Sequence, residues 1–237
     1  MVDMPMDDMM VEVKICGLRT PEAVKAAVEH EADYLGFVFY PPSPRFITPK
    51  DAKALMADVP DLVVNTGLVV DPTDQMLDVI FGACELDMIQ LHGSEPPERI
   101  QEIRERYEVR VAKAIPIATK EDVRRALEYE MIADLLIFDA KPPETPKPGQ
   151  ENLPGGNGEP FDWSLLNEGS LEAAWMLSGG LDPANVMKAI ELTGAEAVDV
   201  SSGVENRRGE KDPDLIAAFL DIVHGDTGED DDGFVEI

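Results

Sequence analysis

Eight short runs of apolar, largely β-branched residues alternate with amphipathic segments along this chain, and that rhythm limits its fold more than any other feature. Strands are predicted at 12–16, 33–39, 62–70, 86–91, 109–115, 134–139, 173–178 and 196–201. Helices are predicted near 21–30, 49–57, 73–83, 95–106, 119–129, 162–168, 183–193 and 212–223. A strand that is apolar throughout must be buried on both faces, which parallel strands covered by helices achieve. Eight such pairs predict a single-domain α/β chain, an eightfold parallel β/α barrel spanning 11–224. A doubly wound open sheet is the alternative, because periodicity alone does not close a sheet.

Three stretches fall outside the rhythm. Residues 1–10 are rich in Met and Asp without periodicity and read as a loose extension. Residues 141–160 hold six prolines and four glycines, so no regular element fits there. A loop of that length after the sixth strand is expected to be a lid, a binding loop or an insertion. Residues 225–237 form an acidic tail with six Asp or Glu and no Lys or Arg.

The formal net charge is −28, and −22 remains when the six tail acids are removed, so acidity belongs to the whole surface. Such a surface repels nucleic acid and anionic membranes, and neither is expected as a partner. It suits a cytosol of high salt, where counterions screen the self-repulsion. Two cysteines, Cys16 and Cys84, make no disulfide framework, and the N-terminus does not resemble a signal peptide. A cytoplasmic protein is expected, and no apolar run approaches the roughly 20 residues that span a bilayer.

In a barrel of this kind every strand ends on one face, so strand-terminal polar residues from distant parts of the chain become neighbours. The first strand ends Lys14-Ile15-Cys16-Gly17, with Thr20 and Pro21 placed as N-cap and first residue of a helix. The later strands and their loops contribute Arg45, Asp71, Gln90, His92, Lys113, Asp139, Ser178-Gly179-Gly180, Asp199 and Ser201-Ser202-Gly203. Cys16 is either a buried small hydrophobe or a reactive thiol. Asp139 ends an apolar strand, where desolvation would raise its pKa and suit it to act as a general acid. Arg45, in the proline-stiffened Pro41-Pro42-Ser43-Pro44-Arg45, offers a planar fork for a carboxylate. His92 either orients substrate or satisfies a backbone carbonyl. The glycine turns after the seventh and eighth strands can present backbone N–H groups to a phosphate.

From Val11 to about Val223 the chain resembles the phosphoribosylanthranilate isomerase family of tryptophan biosynthesis. The resemblance rests on Lys14-Ile15-Cys16-Gly17, Gly36-Phe37-Val38-Phe39 with Ser43-Pro44-Arg45, Gln90-Leu91-His92-Gly93, Phe161-Asp162-Trp163, Leu177-Ser178-Gly179-Gly180-Leu181 and Asp199-Val200-Ser201-Ser202-Gly203-Val204-Glu205, in that order. It implies an Amadori rearrangement of N-(5-phosphoribosyl)anthranilate with no cofactor and no metal, by a monomer or homodimer. It further implies that Asp139 is the general acid, Cys16 the general base and Arg45 the partner of the anthranilate carboxylate. His92 and Asp199 then contact substrate, and Gly179, Gly180, Ser202 and Gly203 hold the phosphate. A thiol of ordinary pKa needs little lowering to act as a base near neutrality. The chain departs from the family pattern at Glu159-Pro160, where a Lys or Thr is common. The rival readings are indole-glycerol-phosphate synthase, which needs a lysine acid such as Lys113, and a phosphosugar-binding barrel without catalysis.

Overall fold

The computed structural model describes residues 10–142, 155–156, 160–168 and 172–225. Most of the N-terminal extension, most of the 141–160 loop and nearly all of the acidic tail lie outside the described residues. Eight parallel strands close into a barrel in sequence order: β1 (Glu12–Cys16), β2 (Tyr34–Val38), β3 (Val64–Val69), β4 (Met88–Leu91), β5 (Arg110–Ile117), β6 (Leu135–Ala140), β7 (Trp175–Leu177) and β8 (Ala197–Val200). The seam is β1 against β8, with Lys14 opposite Asp199. Closure excludes the open doubly wound sheet.

The covering helices are α1 (Pro21–Glu29), α2 (Pro49–Met56), α3 (Asp74–Ala83), α4 (Pro97–Tyr107), α5 (Lys120–Ala126), α6 (Val186–Thr193) and α7 (Pro213–His224). Thr20, Thr48, Thr73 and Thr119 cap α1, α2, α3 and α5, each hydroxyl accepting from a backbone N–H of the first turn. A cap of this kind is worth about 1 kcal/mol and fixes where each loop ends. The helix predicted near 162–168 is instead a 3₁₀ segment, Trp163–Glu168. Asp162 accepts from both the N–H and the hydroxyl of Ser164, and Leu165 N–H bonds back to Asp162 O, which tightens the turn.

Because side chains alternate along a strand, each strand divides between two environments. Val13 and Ile15 face the helices, in the core that also contains Phe138, Phe219 and Leu220. Lys14 and Cys16 therefore face the lumen. The floor of the lumen is apolar, built from Tyr34, Met88, Leu135, Met176 and Ala197. Above it are the fully buried Lys14, Thr66 and Gln90, and above these Cys16 packs with Val38 and Leu68 beneath the open face. A small hairpin of β9 (Glu205–Arg207) and β10 (Glu210–Lys211), turning at Gly209 with φ +82, lies between β8 and α7 and was not foreseen in the sequence.

Candidate active site

Cys16 closes β1 at the bottom of a pocket on the C-terminal face of the barrel. Its neighbour across the β1/β2 ladder is Gly36, where a Cβ would stand 2.9 Å from Cys16 Cα and 3.0 Å from Sγ. The sulfur occupies the space that a side chain at 36 would take. Below it, Lys14 Nζ pairs with Asp199 Oδ1 at 2.8 Å, and Asp199 Oδ2 accepts from Ser178 Oγ at 2.9 Å. Burial pushes the thiol pKa up and the Lys14 charge pulls against it, leaving the thiol above its ordinary value. The expectation of a thiol needing little adjustment meets a barrel in which burial makes the thiolate harder to form and the Lys14 charge opposes that effect.

Asp139 stands across the pocket on β6, buried, with Oδ1 accepting from Ala140 N–H at 2.8 Å and Oδ2 3.2 Å from His92 Nε2. The other imidazole nitrogen lies 3.1 Å from Gln90 Nε2, so the ring is held at both ends. The backbone beyond His92 is clamped as well. Glu95 accepts from the N–H groups of Gly93 and Asp71, and Lys113 Nζ bonds Glu95 Oε2 at 2.8 Å and Gly93 O at 2.7 Å. Lys113 and Asp71 thus serve the loop and do not join the pocket lining, contrary to their expected place on the shared rim. For Lys113 the reason is parity: Ala112 and Ala114 face the lumen, so the residue between them faces the helices.

Arg45 is buried at the pocket edge and engages a carboxylate of the chain itself, with Nε 2.7 Å from Glu205 Oε1 and an Nη 3.1 Å from Oε2. Lys211 Nζ also bonds Glu205 Oε1, at 2.7 Å, and reaches Ser201 O at 2.9 Å. Burial lowers the Lys211 pKa to about 8. Burial also raises Glu205, but the hydrogen bonds and charges of Arg45 and Lys211 outweigh it, so its carboxyl lies below the ordinary carboxylate value. Such a group contributes stability above its unfolded pKa, and the contribution disappears as pH falls through the folded one. Glu205→Gln, which leaves two buried cations facing each other, is expected to cost about 3 kcal/mol at neutral pH. The difference from the parent should shrink on acidification, as read by denaturant unfolding. An equal loss at every pH would remove Glu205 as the counterion.

The turns after β7 and β8 complete the pocket. Gly179 and Gly180 have φ of +86 and +70, a conformation open to glycine, and they line the pocket with Leu181 and Ser202. Cys16, Arg45, His92, Asp139, Gly179, Gly180, Asp199 and Ser202, all foreseen from the sequence, line this single pocket. Gly203, also foreseen, does not line it: a Cβ there would lie 1.9 Å from Leu181 O, so its place is the close contact of the two turns. Sequence reasoning missed Glu205 as the shared partner of Arg45 and Lys211. The available signal was an acid and a base six residues apart on either side of a glycine turn.

The family described as N-(5'-phosphoribosyl)anthranilate (PRA) isomerase matches residues 13–222. The N-(5'-phosphoribosyl)anthranilate isomerase of Parvibaculum lavamentivorans is 51% identical over 212 residues, covering 90% of this chain and 97% of the relative. A crystal structure of phosphoribosyl anthranilate isomerase in complex with reduced 1-(o-carboxyphenylamino)-1-deoxyribulose 5-phosphate superposes with a TM-score of 0.78 at 36% identity, covering 91% of this chain and all of the other. Mutually generated monomers of the dimeric enzyme from Thermotoga maritima give a TM-score of 0.77 at 37% identity, covering 91% of this chain and all of the other.

Proposed function

Since the chain belongs to the N-(5'-phosphoribosyl)anthranilate isomerase family, we propose that Cys16 and Asp139 are its catalytic base and acid. The reaction is the Amadori rearrangement of N-(5-phosphoribosyl)anthranilate to 1-(2-carboxyphenylamino)-1-deoxyribulose 5-phosphate in tryptophan biosynthesis. The observation that carries the residue assignment is a thiol and a carboxyl from β1 and β6 facing one pocket.

Asp139 gives its proton to the furanose ring oxygen as the nitrogen lone pair forms C1=N and the C1–O bond breaks. The Cys16 thiolate then takes the proton from C2, and the electron pair left behind moves to give the enolamine. Loss of the proton on O2 and gain of one at C1 produce the ketone. Asp139 ends as a carboxylate and Cys16 as a thiol, and solvent exchange restores both. His92 holds the acid, Arg45 pairs with the anthranilate carboxylate, and Asp199 contacts the substrate from the pocket lining. The amides of Gly179, Gly180 and Ser202 take the phosphate, which lets a strongly acidic protein bind an anion without a lysine cluster. The synthase reading loses its lysine acid, because Lys113 is committed to Glu95.

The assay is direct: phosphoribosylanthranilate is generated in situ and the loss of its fluorescence is followed with purified protein. Turnover lost on replacing Cys16 or Asp139 supports the assignment, whereas turnover unchanged by either ends it. The enzyme is proposed to work as a monomer or homodimer in the cytoplasm; no helix among the described residues is long and apolar enough to cross a membrane. The net charge of −28 supports a high-salt cytosol. The thermal midpoint is expected to rise from dilute buffer to molar potassium chloride, and a midpoint indifferent to salt would refute that reading.

A further inference from the structure

The reaction assigns no work to Lys14, whose side chain is wholly removed from solvent. A lysine is rarely placed in a barrel lumen without a partner, because an unpaired ammonium there is costly. Here the partner is Asp199, fixed in turn by the Ser178 hydroxyl. Replacing such a pair by apolar residues is often neutral or stabilising, so stability alone does not account for it. Its location does. Lys14 and Cys16 are two residues apart on β1 and point to the same side, and the ammonium interacts with the sulfur as well as with Asp199.

We propose that Lys14 is a positioning residue of the reaction: its buried ammonium, anchored by Asp199 and Ser178, faces the Cys16 sulfur and favours the thiolate that removes the C2 proton. The proposal rests on Cys16 being the base. Asp199 keeps Lys14 charged at a cost, since its own negative charge opposes the thiolate. Lys211, facing from the β9/β10 hairpin, adds a second and weaker positive contribution. Across the pocket stand Tyr40, Arg45, His92 and Asp139; Arg45 is neutralised by Glu205, and Asp139 is paired with His92. Lys14 is thus the cation whose removal changes the thiol most.

The test reads the sulfur without needing turnover. Alkylation of Cys16 by iodoacetamide is measured against pH in the full chain, with peptide-resolved mass spectrometry separating Cys16 from Cys84. Lys14→Met should move the midpoint up by about one pH unit or more, which lowers alkylation tenfold at neutral pH. The ascending limb of kcat/KM, which reports ionisation of the base, should move with it, so that raising the pH recovers part of the lost activity. If Lys14→Met fails to fold because Asp199 is orphaned, Lys14→Met/Asp199→Asn keeps the lumen neutral. Its midpoint should still rise, by less, since the lysine outweighs the aspartate. A midpoint that stays put or falls in a folded variant overturns the proposal, as does activity lost equally at all pH. Should Cys16→Ala leave turnover intact while Lys14→Met moves the midpoint, it is the base assignment that fails and the coupling that stands.

Discussion

Cys16→Ala and Asp139→Asn are each expected to lower kcat by about 10² to 10⁴-fold, the range in which positioned acids and bases contribute. Neither change should move the fold. Cys16→Ala empties a small space beside Gly36 and leaves the Lys14 and Asp199 pair in place. Asp139→Asn keeps an oxygen to accept from Ala140 N–H, but removes the ionisable proton. The reduced product analogue carries no bond for either group to make or break, so its Kd should change by less than about tenfold. The double variant should be little worse than the worse single one, because the two groups act along one reaction path. Steady-state kinetics with calorimetric binding of the analogue check all of this. A kcat reduced only a few-fold in either single variant removes that residue from the proton transfers.

The second large effect is expected at Gly179. Its φ of +86 costs a residue with a Cβ about 1–3 kcal/mol, and that Cβ would lie 2.5 Å from Ala140 N and 3.1 Å from Asp139 Oδ1. Ala140 N is the donor that fixes Asp139 Oδ1. One methyl group therefore displaces the phosphate turn and the acid together. Gly179→Ala should raise KM and lower kcat, with kcat/KM falling about 10²-fold, the cost of misplacing reacting groups by about an ångström. The control is Gly194→Ala at the C-cap of α6, with a comparable φ of +65 and no atom within 4 Å of the added Cβ. It should lose about 1 kcal/mol of stability and no activity. Equal kinetic losses in both variants would mean that strain alone, and not contact with the acid, sets the effect.

The barrel was legible because burial on both faces writes long apolar runs into each strand. The predicted first strand, 12–16, coincides with Glu12–Cys16, and Thr20 caps α1 as its sequence context implied. Site legibility followed the same physics up to a point. Cys16, Asp139, Ser178 and Asp199 end or follow strands and face inward by parity, whereas Lys113 also sits on a strand but one residue out of phase. Polarity near a strand end shows height in the barrel; only the period-two register tells which side is faced. The hairpin partner of Arg45 was hidden for another reason. Arg45 and Glu205 are 160 residues apart, and nothing local to either records that their charges will meet. Most of the loop at 141–160, set apart from the regular elements in the sequence, lies outside the described residues; at its central Gly155 and Gly156 an added Cβ would meet Asp139, His92 and Arg45.

The seam between β1 and β8 has a consequence for how activity is acquired during synthesis. Cys16 and Lys14 belong to β1, while their partners Asp199 and Ser201 belong to β8 and its turn, 185 residues later. Until β8 docks, Lys14 is a hydrated surface lysine and Cys16 an ordinary thiol beside it. Cys16, the Lys14 and Asp199 pair and the turn after β8 come together in one event, the meeting of β1 with β8, the strand pairing of largest sequence separation in the barrel. Formation of the Lys14 and Asp199 pair is thus a direct reporter of ring closure, and the nascent chain carries a thiol of ordinary pKa that burial in the completed barrel shifts upward.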